Sequence, residues 1–161
     1  MQKIIRILHS KVIIFFVTTV PFIFFSGCKN SNNNIIPDVF VNFTLDLNDP
    51  MFNDLLSPGN TVVITSSYAG SESAGYNNHG ILVYRASETK FYAFDRTCTF
   101  EEAKDQAVVI DNTGDAIAEC PHCHSEYVLP GYGYPTDNSP ARYPLKQYKT
   151  SFDGRFVHVY N

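Results

Sequence analysis

From residue 39 the chain alternates. Val39, Val41, Phe43, Leu45 and Leu47 are interleaved with Asp38, Asn42, Thr44 and Asp46, the period-two pattern of a half-buried strand. Phe40 breaks the polar face as a single exposed aromatic. Asn48-Asp49-Pro50 ends the strand, Met51 to Leu56 has the length of one helical turn, and Ser57-Pro58-Gly59-Asn60 is a turn signal. Thr61 to Tyr68 reads as a second strand by its β-branched content, and Ala69 to Asn78, rich in small residues, as a loop. Gly80 to Arg85 and Lys90 to Asp95 predict a hairpin around Ser87-Glu88-Thr89. The charged stretch Thr99 to Gln106 has room for a helical turn. Ala107 to Asp111 and Ala116 to Cys120 flank Asn112-Thr113-Gly114-Asp115, a hairpin signal. Gln147 to Phe152 and Arg155 to Tyr160 form a last hairpin on Asp153-Gly154. After residue 28 no stretch keeps a helical period for three turns, so the pattern predicts a small antiparallel β protein. Pro130 to Pro144, rich in Gly, Pro and Tyr, is too long and too rigid to be only a connection.

The first residues follow a different pattern. Lys3, Arg6 and Lys11 precede an almost wholly apolar run, Val12 to Phe25, which Pro21 interrupts and small residues close. This is the layout of a secretory signal peptide, 1–27; an uncleaved anchor is the other reading, and both put the body outside the cytoplasm. Ser26-Gly27-Cys28 resembles the lipobox of bacterial lipoproteins, although Phe25 stands where that motif usually has Leu. The resemblance implies lipid on Cys28, export across the inner membrane and anchoring in the cell envelope, at the outer membrane. Each buried methylene of the anchor would contribute ~0.8 kcal/mol. Residues 28–34 then form a flexible leash of polar, small residues, and 35–161 form one domain.

Charge narrows the partners. The whole chain has 12 Lys+Arg against 16 Asp+Glu. Without Lys3, Arg6 and Lys11 the mature protein keeps 9 cations and a net charge of −7. No basic run survives, so nucleic acid is not an expected partner; the membrane is reached through the lipid on Cys28. With Cys28 modified, three cysteines remain in a compartment that favours disulfides, and an odd number is not purely a disulfide framework.

Those cysteines carry the candidate chemistry. Cys120-Pro121-His122-Cys123-His124-Ser125-Glu126-Tyr127 follows a predicted hairpin strand, and Cys98 follows the hairpin before it. The Cys-x-x-Cys resembles the active site of thioredoxin-fold thiol oxidants. That family opens a long helix with the motif, whereas here a hairpin strand precedes it and Val-Leu-Pro-Gly-Tyr-Gly-Tyr-Pro follows. No paired carboxylates, activated serine or phosphate loop appears with supporting context.

A wider resemblance joins the pieces. Gly80 to Arg85, Phe91 to Cys98, Cys120-Pro121 with Ser125 and Tyr127, Pro140-Ala141, Pro144-Leu145 with Tyr148, and Asp153-Gly154 before a last strand resemble, in that order, the Rieske iron–sulfur domain. The resemblance covers roughly Val39 to the C-terminus. It implies an all-β, sandwich-like antiparallel fold with a small cluster-binding subdomain made of two hairpin loops. A Rieske [2Fe–2S] cluster takes two cysteines on one iron and two histidines on the other. Cys98 and Cys120 match the cysteine positions, but Phe100 and Cys123 stand where the histidines belong. His122 occupies a position where many members keep a loop-bridging cysteine, and His124 replaces a glycine.

The expected centre is therefore a degenerate [2Fe–2S] site on Cys98, Cys120 and Cys123, with His124 as fourth ligand and His122 as the next candidate. Ser125 and Tyr127 match positions whose hydroxyls hydrogen-bond the cluster. The function implied is electron transfer to an unidentified redox partner, not stand-alone catalysis. One alternative is a cluster-free binding or assembly module with a Cys98–Cys120 disulfide, a closure contributing ~3 kcal/mol. Another is structural Zn²⁺ on three cysteines and a histidine. Tyr132 and Tyr134 would cover the centre or form a docking surface; His79 and His158 are expected to be solvated.

Overall fold

A computed structural model describes residues 35–103, 105–110 and 116–161. The signal segment, the leash with Cys28, and the Asn112–Asp115 turn lie outside the described residues. The strands are β1 Asn42–Asp46, β2 Thr61–Ile64, β3 Ile81–Arg85, β4 Phe91–Asp95, β5 Val109–Ile110, β6 Ile117–Glu119, β7 Glu126–Val128, β8 Tyr134–Pro135, β9 Gln147–Phe152 and β10 Phe156–Tyr160. They form a six-stranded sheet in the order β1-β10-β9-β4-β3-β2 and a four-stranded sheet in the order β5-β6-β7-β8. Every pairing is antiparallel. This is an all-β antiparallel architecture, as the resemblance implies, with a second, smaller sheet beside the large one.

Alternation decides which side of each strand faces inward. In and around β1, Val41, Phe43, Leu45 and Leu47 are buried while Phe40 is 60% exposed. Val157 and Val159 of β10 are buried too, and His158 between them is exposed, its Nδ1 2.7 Å from Thr44 Oγ1 on the neighbouring strand. All six strands of the large sheet send residues into one core: Phe43 and Leu45, Val62 and Ile64, Ile81 and Val83, Phe91 and Ala93, Tyr148, Val157 and Val159. Edge strands β1 and β2 sharing that core means the sheet is rolled around it. Phe52 and Leu55 close it from a 3₁₀ turn, Pro50–Leu56. Three residues apart, they fall on one side of a threefold turn. The turn starts where the sequence indicates, with Pro50 in its first position and the Asp49 carboxylate accepting the Met51 N–H at 3.0 Å.

The hairpin β3–β4 is buried at all of its strand positions. Ile81, Val83, Phe91 and Ala93 face the first core; Leu82, Tyr84, Tyr92 and Phe94 face the second. That second core also holds Ala118, Tyr127 and Leu129 of the small sheet and its approaches, and it contains Cys98 and Cys120. Hydrophobic burial therefore fixes the site-bearing loops onto the outer face of this hairpin.

Two expectations need correction. The second strand ends at Ile64 rather than Tyr68, and Ser66–Ala69 is one helical turn. The Tyr68 and Ala69 N–H groups return to Thr65 O, while the Tyr68 ring meets Phe52 edge-on at 5.1 Å and its hydroxyl donates to Thr44 O. Ring packing and that hydrogen bond override the β-branched propensity of the segment. His79 is not solvated: its side chain is 14% exposed, with Nδ1 2.9 Å from Thr97 Oγ1. The 3₁₀ turn Tyr76–Asn78 folds it back onto the loop after β4. The Pro130–Pro144 segment is structural, since Tyr134–Pro135 pair with β7 and the Leu145 N–H donates to Gly133 O.

Candidate metal centre

The first site loop leaves β4 at Asp95. Asp95 is fully buried, and its carboxylate is saturated by donors from three directions: Thr97 N–H at 2.8 Å, Tyr76 N–H at 2.7 Å and Tyr148 O–H at 2.7 Å. Burial, then the neighbouring Asp95 charge, pushes the Tyr148 phenol above its ordinary range. Arg96 gives Nε to Val108 O and Nη1 to His79 O. A bridge between Thr97 and Ala107, and the Cys98 N–H on Gln106 O at 2.9 Å, fix the backbone of the thiol itself.

The second loop is the turn between β6 and β7. Cys120 N–H donates to Ser125 O, and His124 N–H donates back to Cys120 O, both at 2.9 Å. The closure is tight enough to place His124 in the left-handed region, φ 57°.

The two loops bring three sulfurs together. The Sγ atoms of Cys98, Cys120 and Cys123 all lie within 4.8 Å of one another. Cys98 and Cys120 are fully buried, Cys123 is half-buried, and all three are free thiols. Cys98 Sγ and Cys123 Sγ are 3.6 Å apart. Ser125 Oγ sits 3.1 Å from Cys123 Sγ and accepts the Ala141 N–H. Tyr127 O–H sits 3.3 Å from Cys98 Sγ and accepts the Thr99 N–H at 3.0 Å. Thr99 Oγ1 donates to Tyr143 O at 2.6 Å. The Tyr127 proton is thus left for Thr99 Oγ1 or for the Cys98 sulfur, so a thiolate at Cys98 has a donor in place.

The thiols differ in acidity. Burial pushes Cys98 up to about 12, against which the Tyr127 hydrogen bond acts only in part. Burial also works to raise Cys123, but the Ser125 hydroxyl and backbone, with Cys120 and Cys98, outweigh it and bring that thiol below its ordinary value. Cys123 therefore takes negative charge more readily than Cys98. Deprotonating all three in this enclosure calls for a cation among them.

Of the expected site residues, the structure brings together Cys98, Cys120, Cys123, Ser125 and Tyr127. It does not bring in the histidines. His122 is exposed, and the His124 side chain, 77% exposed, places Nδ1 2.8 Å from Glu119 Oε1 on the outer surface of the loop. The left-handed backbone at 124 carries that imidazole away from the sulfurs. Phe100 is partly buried against the second core and lines a hollow of about 210 Å³ with Ile35, Thr99, Glu101, Pro140, Arg142 and Tyr143. The Cys98–Cys120 disulfide of the alternative reading is not formed in this arrangement, and the 3.6 Å sulfur contact is between Cys98 and Cys123. Asp95, Thr97, Thr99 and Tyr148 hold the first loop, and their spacing along the chain does not single them out as site residues. The run Asp95-Arg96-Thr97-Cys98 is the signal that places two of these supports and one of the thiols.

A histidine-ligated Rieske cluster does not fit this donor set. Three thiols converge, two of them fully buried, but neither nearby histidine turns inward and the Phe100 ring offers no ligand atom. The chain offers instead an all-sulfur group.

Comparison with known proteins adds a likeness of fold. No family model matches the chain, and no curated protein matches it. Among solved structures it is similar to the ferredoxin of carbazole 1,9a-dioxygenase from Nocardioides aromaticivorans IC177, at 18% identity over 76% of this chain and 97% of that one, with a TM-score of 0.46. It is similar also to a chain of the complex of reduced oxygenase and oxidized ferredoxin in carbazole 1,9a-dioxygenase, at 21% identity over 73% and 99%, TM-score 0.45. A third is the Escherichia coli protein NirD, at 11% identity over 74% and 98%, TM-score 0.38.

Proposed function

We propose that this chain is an envelope lipoprotein whose Rieske-like domain holds metal through Cys98, Cys120 and Cys123 and, with iron bound, exchanges single electrons with a protein partner. The observation that carries the reading is the convergence of three sulfurs within 4.8 Å, two of them fully buried. Buried thiols have little access to water, and soft thiolates select iron, zinc and copper(I) over hard cations. The half-buried Cys123 gives the centre one accessible edge, where a partner can approach. The hydroxyls of Tyr127 and Ser125 stabilise charge on the sulfurs, which is how outer hydrogen bonds adjust a reduction potential. Ser26-Gly27-Cys28 after an apolar run supports the lipid anchor.

The test is metal analysis, thiol counting and a redox titration on protein prepared without oxygen. Bound metal, three thiols protected from alkylation and a one-electron transition support the reading. Cys98→Ser and Cys120→Ser should each abolish metal retention. Three freely alkylated thiols with no metal overturn it.

A second reading, a cluster-free binding module with a disulfide, is favoured by the 3.6 Å Cys98–Cys123 contact. In air-oxidised, metal-free protein the bridge expected is Cys98–Cys123, identified by peptide mapping, and not Cys98–Cys120.

A further inference from the structure

We infer that the three thiols form a mononuclear site: one thiophilic ion on Cys98, Cys120 and Cys123, with a fourth coordination position left to an external donor. The inference rests on the reading that these thiols bind metal, and goes beyond it in nuclearity and openness.

Three observations support it. The first is the sulfur spacing. Two thiolates on one tetrahedral ion at about 2.3 Å stand about 3.8 Å apart. Cys98 and Cys123 are 3.6 Å apart, and Cys120 lies within 4.8 Å of both. The family's pairing would give Cys98 and Cys120 to one iron and Cys123 to the other, so Cys123 would sit across the width of the cluster from Cys98. The structure puts that pair in contact.

The second is the missing fourth side chain. Among the described residues, no histidine, aspartate or glutamate atom joins the group of three sulfurs. His124 is engaged with Glu119, and Phe100 fills apolar space beside the second core. The third is the uneven burial. Cys98 and Cys120 close the inner side, and Cys123 is half-buried, so the remaining face opens outward. Three protein ligands and an open position are what a metal needs to accept a small external ligand. A thiol or water suits that place; a fixed structural ion would have it filled by protein.

Cobalt(II) is the probe. The full chain in detergent, reduced and stripped of metal, is titrated with cobalt while the thiolate-to-cobalt charge-transfer and ligand-field bands are followed. The expected endpoint is one cobalt per chain, with band intensity falling in Cys123→Ser in proportion to the loss of one of three thiolates. Added β-mercaptoethanol should shift the bands by entering the open position, and His122→Ala with His124→Ala should leave the spectrum unchanged. Loss of the spectrum in the histidine variant would overturn the open position. Reconstitution with iron and sulfide that yields two irons and two labile sulfides per chain would overturn the single ion while leaving a metal protein. No uptake of cobalt or iron by fully reduced thiols would overturn the reading beneath both.

Discussion

Replacing Tyr127 by Phe removes one oxygen from the middle of the second core. Tyr127 is fully buried, and its hydroxyl is the acceptor for the Thr99 N–H at 3.0 Å, in a loop where Thr99 is itself buried. Phe keeps the ring packing and the volume, so the cavity contribution is small. What changes is that a buried backbone donor loses its acceptor, at ~1–3 kcal/mol. With a urea dependence of about 2 kcal/mol per molar for a domain of this size, the unfolding midpoint should fall by about 1 M. The same variant withdraws the donor placed 3.3 Å from Cys98 Sγ, so the charge-transfer bands of the cobalt-loaded form should shift as well. Tyr134→Phe is the control: that ring is 59% exposed, and its loss of oxygen should stay within about 0.5 kcal/mol. Equal midpoints for Tyr127→Phe and Tyr134→Phe in reduced, metal-free protein would refute the claim that this hydroxyl secures the first loop.

Asp95→Asn should destabilise by ~2 kcal/mol or more, because its amide brings donors into a place already filled by three donors, Tyr76 N–H, Thr97 N–H and Tyr148 O–H; thermal unfolding checks it. Gly75→Ala should destabilise in the same assay, since a Cβ there would lie 2.7 Å from Asp95 Oδ2 and the backbone has φ +76°. Arg155 holds the Asp46 carboxyl down to about 2, from an ordinary 3.8, through paired hydrogen bonds that join β1 to the turn before β10. A depressed folded value means stability present above pH 4 and lost as the pH falls toward 2. The difference in melting temperature between native protein and Asp46→Asn should therefore be steady at neutral pH and vanish over that interval. Native protein showing no such loss would mean the pair contributes nothing.

Much of the frame is legible in the sequence, because the information is local. Alternation at Val41 to Leu47, the Asp49-Pro50 start and the Asp153-Gly154 turn each carry their own physics. In the last, Asp153 Oδ1 accepts the N–H groups of Arg155 and Phe156, and Gly154 adopts φ +104°. The three sulfurs are legible as a motif plus one distant cysteine. The supports are not. Asp95 reads as a polar strand end until Tyr148, from β9, delivers a hydroxyl to it. His79 reads as solvated until the Tyr76–Asn78 turn carries it onto Thr97. His124 looks like a ligand by its distance along the chain from Cys120 and Cys123, yet a positive φ, invisible in residue order, sends it to Glu119.

The β3–β4 hairpin has no free side. All of its strand residues are buried, and the eight apolar ones divide between the core inside the rolled sheet and the core beneath the loops that carry the thiols. An ordinary strand has a solvent face on which polar residues are free to change; here a charge introduced at any of the eight apolar positions disturbs one core or the other. Its amides should be the slowest in the molecule to exchange with deuterium, opening only when the whole domain opens. The small sheet inherits that persistence. Short as its strands are, it is stapled to the most durable part of the protein, and the thiols stay aligned for as long as the molecule remains folded.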